Sequence, residues 1–167
     1  MRRLLSLGLL TVVFGGVGYW VYVKTAAPEV RVGWFLDEMV DNFNRSRPGA
    51  CAGGLSEDFR DETSGAGHRE IHGYLVQLYL RARDPETKEF LYRVEAPADE
   101  RQVDIGEEPT TARAQLVARF HEIRRSGGIV SEKLVWEVRI DADLRDGEDG
   151  WQVERTTHKS THGGRMR

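Results

Sequence analysis

The sequence contains very little cysteine and no excess of positive charge. Cys51 is the single cysteine among 167 residues, which excludes a disulfide framework within the chain and a zinc site built from cysteines. Lysine and arginine number 24 against 27 aspartate and glutamate residues, a net charge of −3 that argues against nucleic-acid binding. The sequence also lacks a nucleotide-binding glycine loop and a nucleophile elbow. We therefore predict one folded domain with no nucleic-acid partner and no cofactor.

Charge is entirely absent from one segment near the N-terminus. Residues 4–23 are 20 consecutive uncharged residues, and a helix of that length, rising about 1.5 Å per residue, crosses a hydrocarbon core about 30 Å thick. Arg2 and Arg3 precede the segment, and its far end carries rings that favour a membrane interface, those of Tyr19, Trp20 and Tyr22. This pattern predicts a single-pass anchor in the lipid bilayer with its N-terminus in the cytoplasm.

The predicted anchor divides the chain into three parts. We predict that residues 1–27 form a cytoplasmic stub, the transmembrane anchor and a short linker, that residues 28–158 form a folded domain, and that residues 159–167 form a flexible basic tail. The domain would lie on the periplasmic or extracellular side of the inner (cytoplasmic) membrane. A cleaved signal peptide is the alternative, because Thr25-Ala26-Ala27 has the small residues of a cleavage site. The long apolar run and the proline at position 28 favour an uncleaved anchor.

The first part of the domain has the apolar spacing of helices. A first helix is predicted from residues at steps of three and four, namely Val32, Phe35, Leu36, Met39, Val40 and Phe43. It should end near Arg47-Pro48-Gly49, and a short helical turn capped by Ser56 should follow over residues 57–63. A further helix is predicted over residues 68–83, before Asp84-Pro85.

The apolar period changes from 3.6 to two after Phe90, which predicts antiparallel strands. They are expected over residues 90–95, 103–105, 112–121, 133–142 and 151–157, with the second paired to the first. Folding the two long strands about Gly127 opposes four apolar pairs and one ion pair: Phe120 with Leu134, Ala118 with Trp136, Leu116 with Val138, Ala114 with Ile140, and Arg113 with Asp141. The residues from His158 onward are expected to be frayed.

The predicted fold class is α+β, with a transmembrane helix followed by helices packed on one face of a curved antiparallel sheet. The first helix, the strand pair over residues 112–142 and the closing segment DGEDGWQV make residues 29–158 resemble the nuclear transport factor 2-like superfamily. That superfamily includes ketosteroid isomerases and polyketide cyclases. The resemblance implies a conical domain around a cavity, and we expect the cavity to be lined by Phe35, Met39, Tyr74, Leu116 and Trp136.

Enzymes of this superfamily place a carboxylate base and hydrogen-bonding acids in the cavity. The predicted register sets Glu122 opposite Glu132 at the hairpin mouth, where two carboxyl groups could share a proton and one pKa would rise. The alternative is that both side chains point into solvent. Tyr74 and Tyr79 could donate hydrogen bonds to an oxyanion, or they could simply be core aromatics. Glu122, Glu132 and Tyr74 are thus the candidate catalytic residues.

Two pairs of histidines have the four-residue spacing of zinc ligands on one helix face. His68 and His72 lie in the segment HREIH, which departs from the zinc-protease motifs because Glu70 stands in its middle. His158 and His162 repeat the spacing in the predicted tail. His68 and His72 could simply be solvated residues at a helix end, and His158 and His162 could lie in an unstructured tail. We therefore predict no metal site.

Two functions remain open from the sequence. The favoured hypothesis is a membrane-anchored, non-catalytic binding or assembly module with a protein partner or a second copy of itself. The alternative is a small-molecule receptor or an enzyme of the isomerase or cyclase type that uses the apolar cavity. The sequence motifs do not identify an enzyme, and the sequence favours a protein that is not an enzyme.

Overall fold

The computed structural model describes residues 25–126 and 129–163. The predicted anchor, residues 4–23, lies outside the described residues, so it stays a prediction. Among the residues that are described, none of the helices is both long and apolar enough to cross a bilayer.

Three helices occupy the first half of the described chain: α1 (Pro28–Asn44), α2 (Pro48–Gly53) and α3 (His68–Arg81). The helices predicted around α1 and α3 are confirmed, and Val32 and Leu36 of α1 are buried in the core as their spacing indicates. Pro48 follows α1 and is also the first residue of α2. Proline is tolerated there because the N–H that it lacks would have no partner in the first turn of a helix.

Six strands form one curved sheet: β1 (Leu55–Asp61), β2 (Tyr92–Glu95), β3 (Gln102–Ile105), β4 (Thr111–Ser126), β5 (Ile129–Gly147) and β6 (Gly150–Gly163). Their order is β1-β6-β5-β4-β2, and β3 also pairs with β4. A single 3-10 turn, Ala98–Glu100, lies between β2 and β3. The predicted pairing of β3 with β2 is therefore wrong, since the longer β4 provides the partner for both.

The helical turn predicted over residues 57–63 is also wrong. This segment belongs to β1, which pairs with β6 in parallel, so the sheet is mixed and not purely antiparallel. The sequence signal for a helical turn was the capping residue Ser56. That local signal does not record the pairing of β1 with β6, which is irregular between Leu55 and Arg60.

The long hairpin of β4 and β5 forms as predicted, but its register is shifted by two residues. Phe120 opposes Trp136 and Ala118 opposes Val138. The hairpin closes between Ser126 and Ile129, which accounts for one residue of the shift, and a bulge after Phe120 accounts for the other. Because a shift of two preserves the alternation of a strand, the apolar side chains still share the inner face.

The register change also separates the predicted partners of Arg113. This residue opposes Asp143, but its Nη2 still lies 3.5 Å from Oδ1 of Asp141 on the diagonal. Beyond this hairpin, β6 continues to Gly163, so the residues from His158 to Gly163 are paired with β5 and not frayed. β5 is longer than predicted, so its backbone provides hydrogen-bonding partners for this part of β6. His158 lies opposite Ile140.

The helices pack on the inner face of the sheet around two groups of buried side chains. The first group joins α1 and β1 to the sheet centre and comprises Val32, Leu36, Leu55, Phe59, Ala112, Ala114, Ala142, Leu144, Trp151 and Val153. The second comprises Val94, Ala118 and Val138, with Val40, Phe43, Phe120, Trp136 and Ile140 packed against it. Alanines on the central strands leave room for the larger helix and β1 side chains, which is close packing of the kind found in protein interiors.

Candidate functional site

An open pocket of about 490 Å³ lies between α3, β1 and the inner face of β4, β5 and β6. Most of its wall is apolar and comprises Leu55, Phe59, Ala66, Ile71, Phe120, Trp136, Val138 and Ile140. The polar side chains of the wall are those of Asp61, Ser64, Glu70, Tyr74, Thr156 and His158. Within the described part of the chain, no lysine or arginine lines this pocket.

Asp61 is the most heavily hydrogen-bonded group of the pocket. Its side chain is 6% exposed, and Oδ2 accepts hydrogen bonds from the backbone N–H (2.9 Å) and the hydroxyl of Ser64. Oδ1 accepts one from Oγ1 of Thr156 at 3.0 Å and lies 3.1 Å from Nδ1 of His158. Burial by itself would raise the pKa of Asp61, but these hydrogen bonds outweigh it and hold the pKa below its usual value. Asp61 is therefore a carboxylate at neutral pH.

His158 is held in place by its ring and by its backbone. Its N–H donates to Oγ1 of Thr63 at 2.8 Å, and the same hydroxyl donates to the His158 carbonyl oxygen at 3.2 Å. Because an ionised Asp61 can only accept a hydrogen bond, Nδ1 of His158 carries the proton. A histidine in this tautomer has its lone pair on Nε2, which is the arrangement of an oriented general base.

The local sequence brings the two residues together through one turn and one strand pairing. After β1, Gly65 adopts a φ of +77°, and its N–H donates to the Asp61 carbonyl at 2.7 Å. This turn folds Ser64 back onto Asp61. The parallel pairing of β1 with β6 sets Asp61 opposite Thr156, and His158 follows two residues later on the same face of β6.

Aromatic rings continue from His158 into the apolar end of the pocket. The ring of Trp136 packs edge-on against His158, with centroids 6.4 Å apart at 86°, and it stacks on Phe120 at 4.9 Å. Nε1 of Trp136 donates to Oγ of Ser160 at 2.8 Å, so its polar atom is satisfied inside the sheet. A flat molecule in this pocket would contact aromatic faces and the imidazole together.

The predicted cavity-lining residues fall into three places. Tyr74 and Trp136 line this pocket. Phe35 and Met39 line a different groove, between α1, α2 and the turn that joins β5 to β6. Leu116 is buried in the sheet and lines neither.

The shared-proton hypothesis for Glu122 and Glu132 is wrong. The register shift sets Glu122 opposite Lys133, so the two carboxylates do not face each other. Each has its own arginine instead: Nη2 of Arg124 lies 2.9 Å from Glu122, and Nη1 of Arg93 lies 3.3 Å from Glu132. Neither glutamate lines the pocket.

The histidines have different environments from those that their spacing suggested. Nε2 of His68 lies 3.1 Å from the Ala52 carbonyl oxygen, and His72 is exposed on α3. No cluster of three metal-ligating side chains occurs within residues 25–126 and 129–163. Sequence reasoning missed the role of His158 because its partner Asp61 is 97 residues away in the chain, and only the parallel pairing of β1 with β6 joins them.

Comparison with known proteins supports the fold and little more. No protein-family model and no curated protein matches the chain. Solved structures do match: a ketosteroid isomerase-like protein from Erwinia carotovora atroseptica is 15% identical, with 80% of this chain and 96% of that one covered and a TM-score of 0.55. A nuclear transport factor 2-like protein with a cystatin-like fold from Novosphingobium aromaticivorans is 14% identical, with 89% and 90% covered and a TM-score of 0.60.

A third match is a cystatin-like domain of unknown function from Nostoc punctiforme, 21% identical over 83% of this chain and 80% of that one, with a TM-score of 0.60. At these identities the likeness shows the fold alone. The described chain has the nuclear transport factor 2-like, or cystatin-like, α+β fold, as the sequence resemblance predicts.

Proposed function

We propose that the domain binds an uncharged, mainly apolar small molecule in the pocket and moves a proton on it with His158. The observation that carries this proposal is the Asp61–His158 pair at the polar end of an otherwise apolar pocket. Carboxylate-oriented imidazoles are general bases, and strongly partnered titratable groups in clefts mark functional sites. The geometry therefore favours the second of the two functions that the sequence left open.

The charges of the pocket indicate the class of ligand. Asp61 and Glu70 line it, and no cationic side chain among the described residues balances them there. An anionic ligand would be repelled, whereas a neutral ring system with a carbonyl or hydroxyl group would satisfy both the aromatic wall and the polar end. A ketone with an adjacent C–H fits this description, because Nε2 of His158 could remove that proton.

The proton transfer is balanced within the site. Nε2 takes the proton from carbon while the electron pair moves into the carbonyl, which gives an enolate and an imidazolium. Asp61 stabilises the imidazolium through Nδ1, and the imidazolium then returns the proton to the same carbon or to another atom of the molecule. The ketosteroid isomerase-like name of one matching structure agrees with this class of reaction.

Selective binding of a neutral ring compound tests the ligand class. We expect the full chain to bind 2-acetylnaphthalene at least about tenfold more tightly than 2-naphthoate, a difference of about 1.4 kcal/mol, because the carboxylate of the latter would face Asp61 and Glu70. The measurement is titration by isothermal calorimetry. Trp136→Ala should weaken binding of the ketone, and Leu80→Ala, which is exposed on α3 and does not line the pocket, should not. Equal affinity for both compounds would contradict the proposed ligand class.

The membrane-anchored binding module remains a second proposal, and exposed apolar side chains support it. Ile129 and Val130, at the tip of the long β4–β5 hairpin, are 72% and 60% exposed, and Leu80 on α3 is 69% exposed. Exposed apolar groups of this kind suit a protein partner or a second copy. Crosslinking of the full chain in membranes should capture such a partner, and Ile129→Ser with Val130→Ser should abolish the capture. The anchor is tested on cells from which any outer membrane has been removed, because protease added to the outer side of the cytoplasmic membrane should digest the domain.

A further inference from the structure

A second cavity of about 470 Å³ lies apart from the pocket described above. It is a groove between α1, α2 and the β5–β6 turn, and it shares no lining residue with the first pocket. The groove exists because its α2 wall is built from small residues, Ala50, Gly53 and Gly54. A Cβ atom on Gly53 would meet nothing within 4 Å, so this wall borders open space.

The groove also contains a buried hydrogen-bond donor with no partner. Trp151 is only 6% exposed, and its Nε1 makes no hydrogen bond within the described residues. A buried donor left unpaired costs about 1–3 kcal/mol relative to one that is satisfied. By contrast, Nε1 of Trp136 donates a hydrogen bond to Oγ of Ser160.

The charges at the groove do not favour an anion. Arg31 is the only cationic residue in its wall within the described chain, and its Nη2 lies 2.5 Å from Oδ2 of Asp146, so its charge is neutralised. Glu38 and Asp149 are exposed at the rim. An acceptor for the indole should therefore come from an uncharged group such as an amide or a ketone.

One wall of the groove is adaptable. The Met39 side chain crosses directly over Gly54 and touches the space that a Cβ there would need. Methionine is unbranched and changes conformation easily, so Met39 can move aside when a molecule enters. Trp34 and Phe35 provide aromatic surface beside it.

We propose that this groove is a second binding site, for an uncharged aromatic molecule whose amide or ketone oxygen accepts a hydrogen bond from Nε1 of Trp151. The ring of the ligand would lie against Phe35 and Trp34, and Met39 would move aside from Gly54 to admit it. This site is independent of the Asp61–His158 pocket, and it stands whether or not that pocket is catalytic.

The indole N–H itself reports on the proposal. The chain has four tryptophans, so the full chain labelled with ¹⁵N-tryptophan gives four indole signals, which Trp→Phe variants assign. Acetanilide, an uncharged aryl amide, should move the Trp151 indole proton downfield because that proton gains an acceptor. The Trp136 indole proton, already donated to Ser160, should show no downfield shift. Toluene, which has no acceptor, should not produce the downfield shift and should bind about 2- to 10-fold more weakly, the value of one neutral hydrogen bond.

Two glycine variants on α2 provide the matched comparison. Gly53→Leu should fill the groove and abolish the acetanilide shift, whereas Gly49→Leu, also in open space but outside the groove, should retain it. An unchanged Trp136 signal verifies that both variants are folded. The proposal is overturned if acetanilide leaves the Trp151 signal unmoved, if toluene moves it equally, or if Gly53→Leu binds acetanilide as the unsubstituted chain does.

Discussion

His158→Asn should slow proton abstraction by about 10²- to 10⁴-fold, the usual contribution of a positioned general base. The asparagine amide can still donate to Asp61 as Nδ1 of the histidine does, but it has no basic nitrogen in the position of Nε2. The reaction to follow is exchange of the acetyl protons of 2-acetylnaphthalene for deuterium in D₂O, measured by NMR. Affinity for the ketone should remain nearly unchanged, because the aromatic wall of the pocket is intact.

His162→Asn is the control for this experiment. His162 lies on the same strand, β6, but it is exposed and does not line the pocket. Its variant should exchange the acetyl protons at the rate of the unsubstituted chain. If His158→Asn also exchanges them at that rate while still binding the ketone, His158 is not the base, and the pocket is a receptor site only.

The long elements of this fold could be predicted because each carries its own pattern. The apolar stripe of α1 repeats over about three turns. β4 and β5 alternate over many residues, so a register error of two residues did not change which side chains are buried. β1 could not be predicted in the same way. Its partner β6 is distant in the chain and the pairing is irregular between Leu55 and Arg60, so the local capping signal at Ser56 indicated the wrong structure.

The candidate site was missed for a related reason. Asp61 and His158 meet only because β1 pairs in parallel with β6, a contact between distant parts of the chain that no local pattern records. Trp136 was expected in the cavity because the alternation of its strand places its side chain inward, and Tyr74 was expected there as a hydrogen-bond donor. Glu122 and Glu132 were expected to face each other, and the position of the hairpin turn, one residue away from the predicted one, was sufficient to separate them.

The stability of the domain should fall in acid because of Asp61. The pKa of Asp61 in the folded chain is lower than its unfolded value of about 3.9. The unfolded chain therefore binds a proton at Asp61 more readily than the folded chain, and acid favours unfolding. The contribution of Asp61 is therefore fully present above about pH 4 to 5 and is lost as the pH falls through the folded pKa. At pH 7, Asp61→Ala should lower the free energy of unfolding by about 2–4 kcal/mol, because Ser64, Thr156 and His158 lose their common acceptor.

Urea denaturation followed by circular dichroism at pH 7 and at pH 3 measures both effects, with Asp58→Ala as the control. Asp58 is on the same strand as Asp61 but exposed, so its variant should change the free energy of unfolding by no more than about 0.5 kcal/mol. The difference in stability between the unsubstituted chain and Asp61→Ala should shrink at pH 3, since the lost interaction is one of the ionised carboxylate. A difference that stays constant between the two pH values would mean that Asp61 stabilises the fold by packing alone and does not orient His158 as a charged partner.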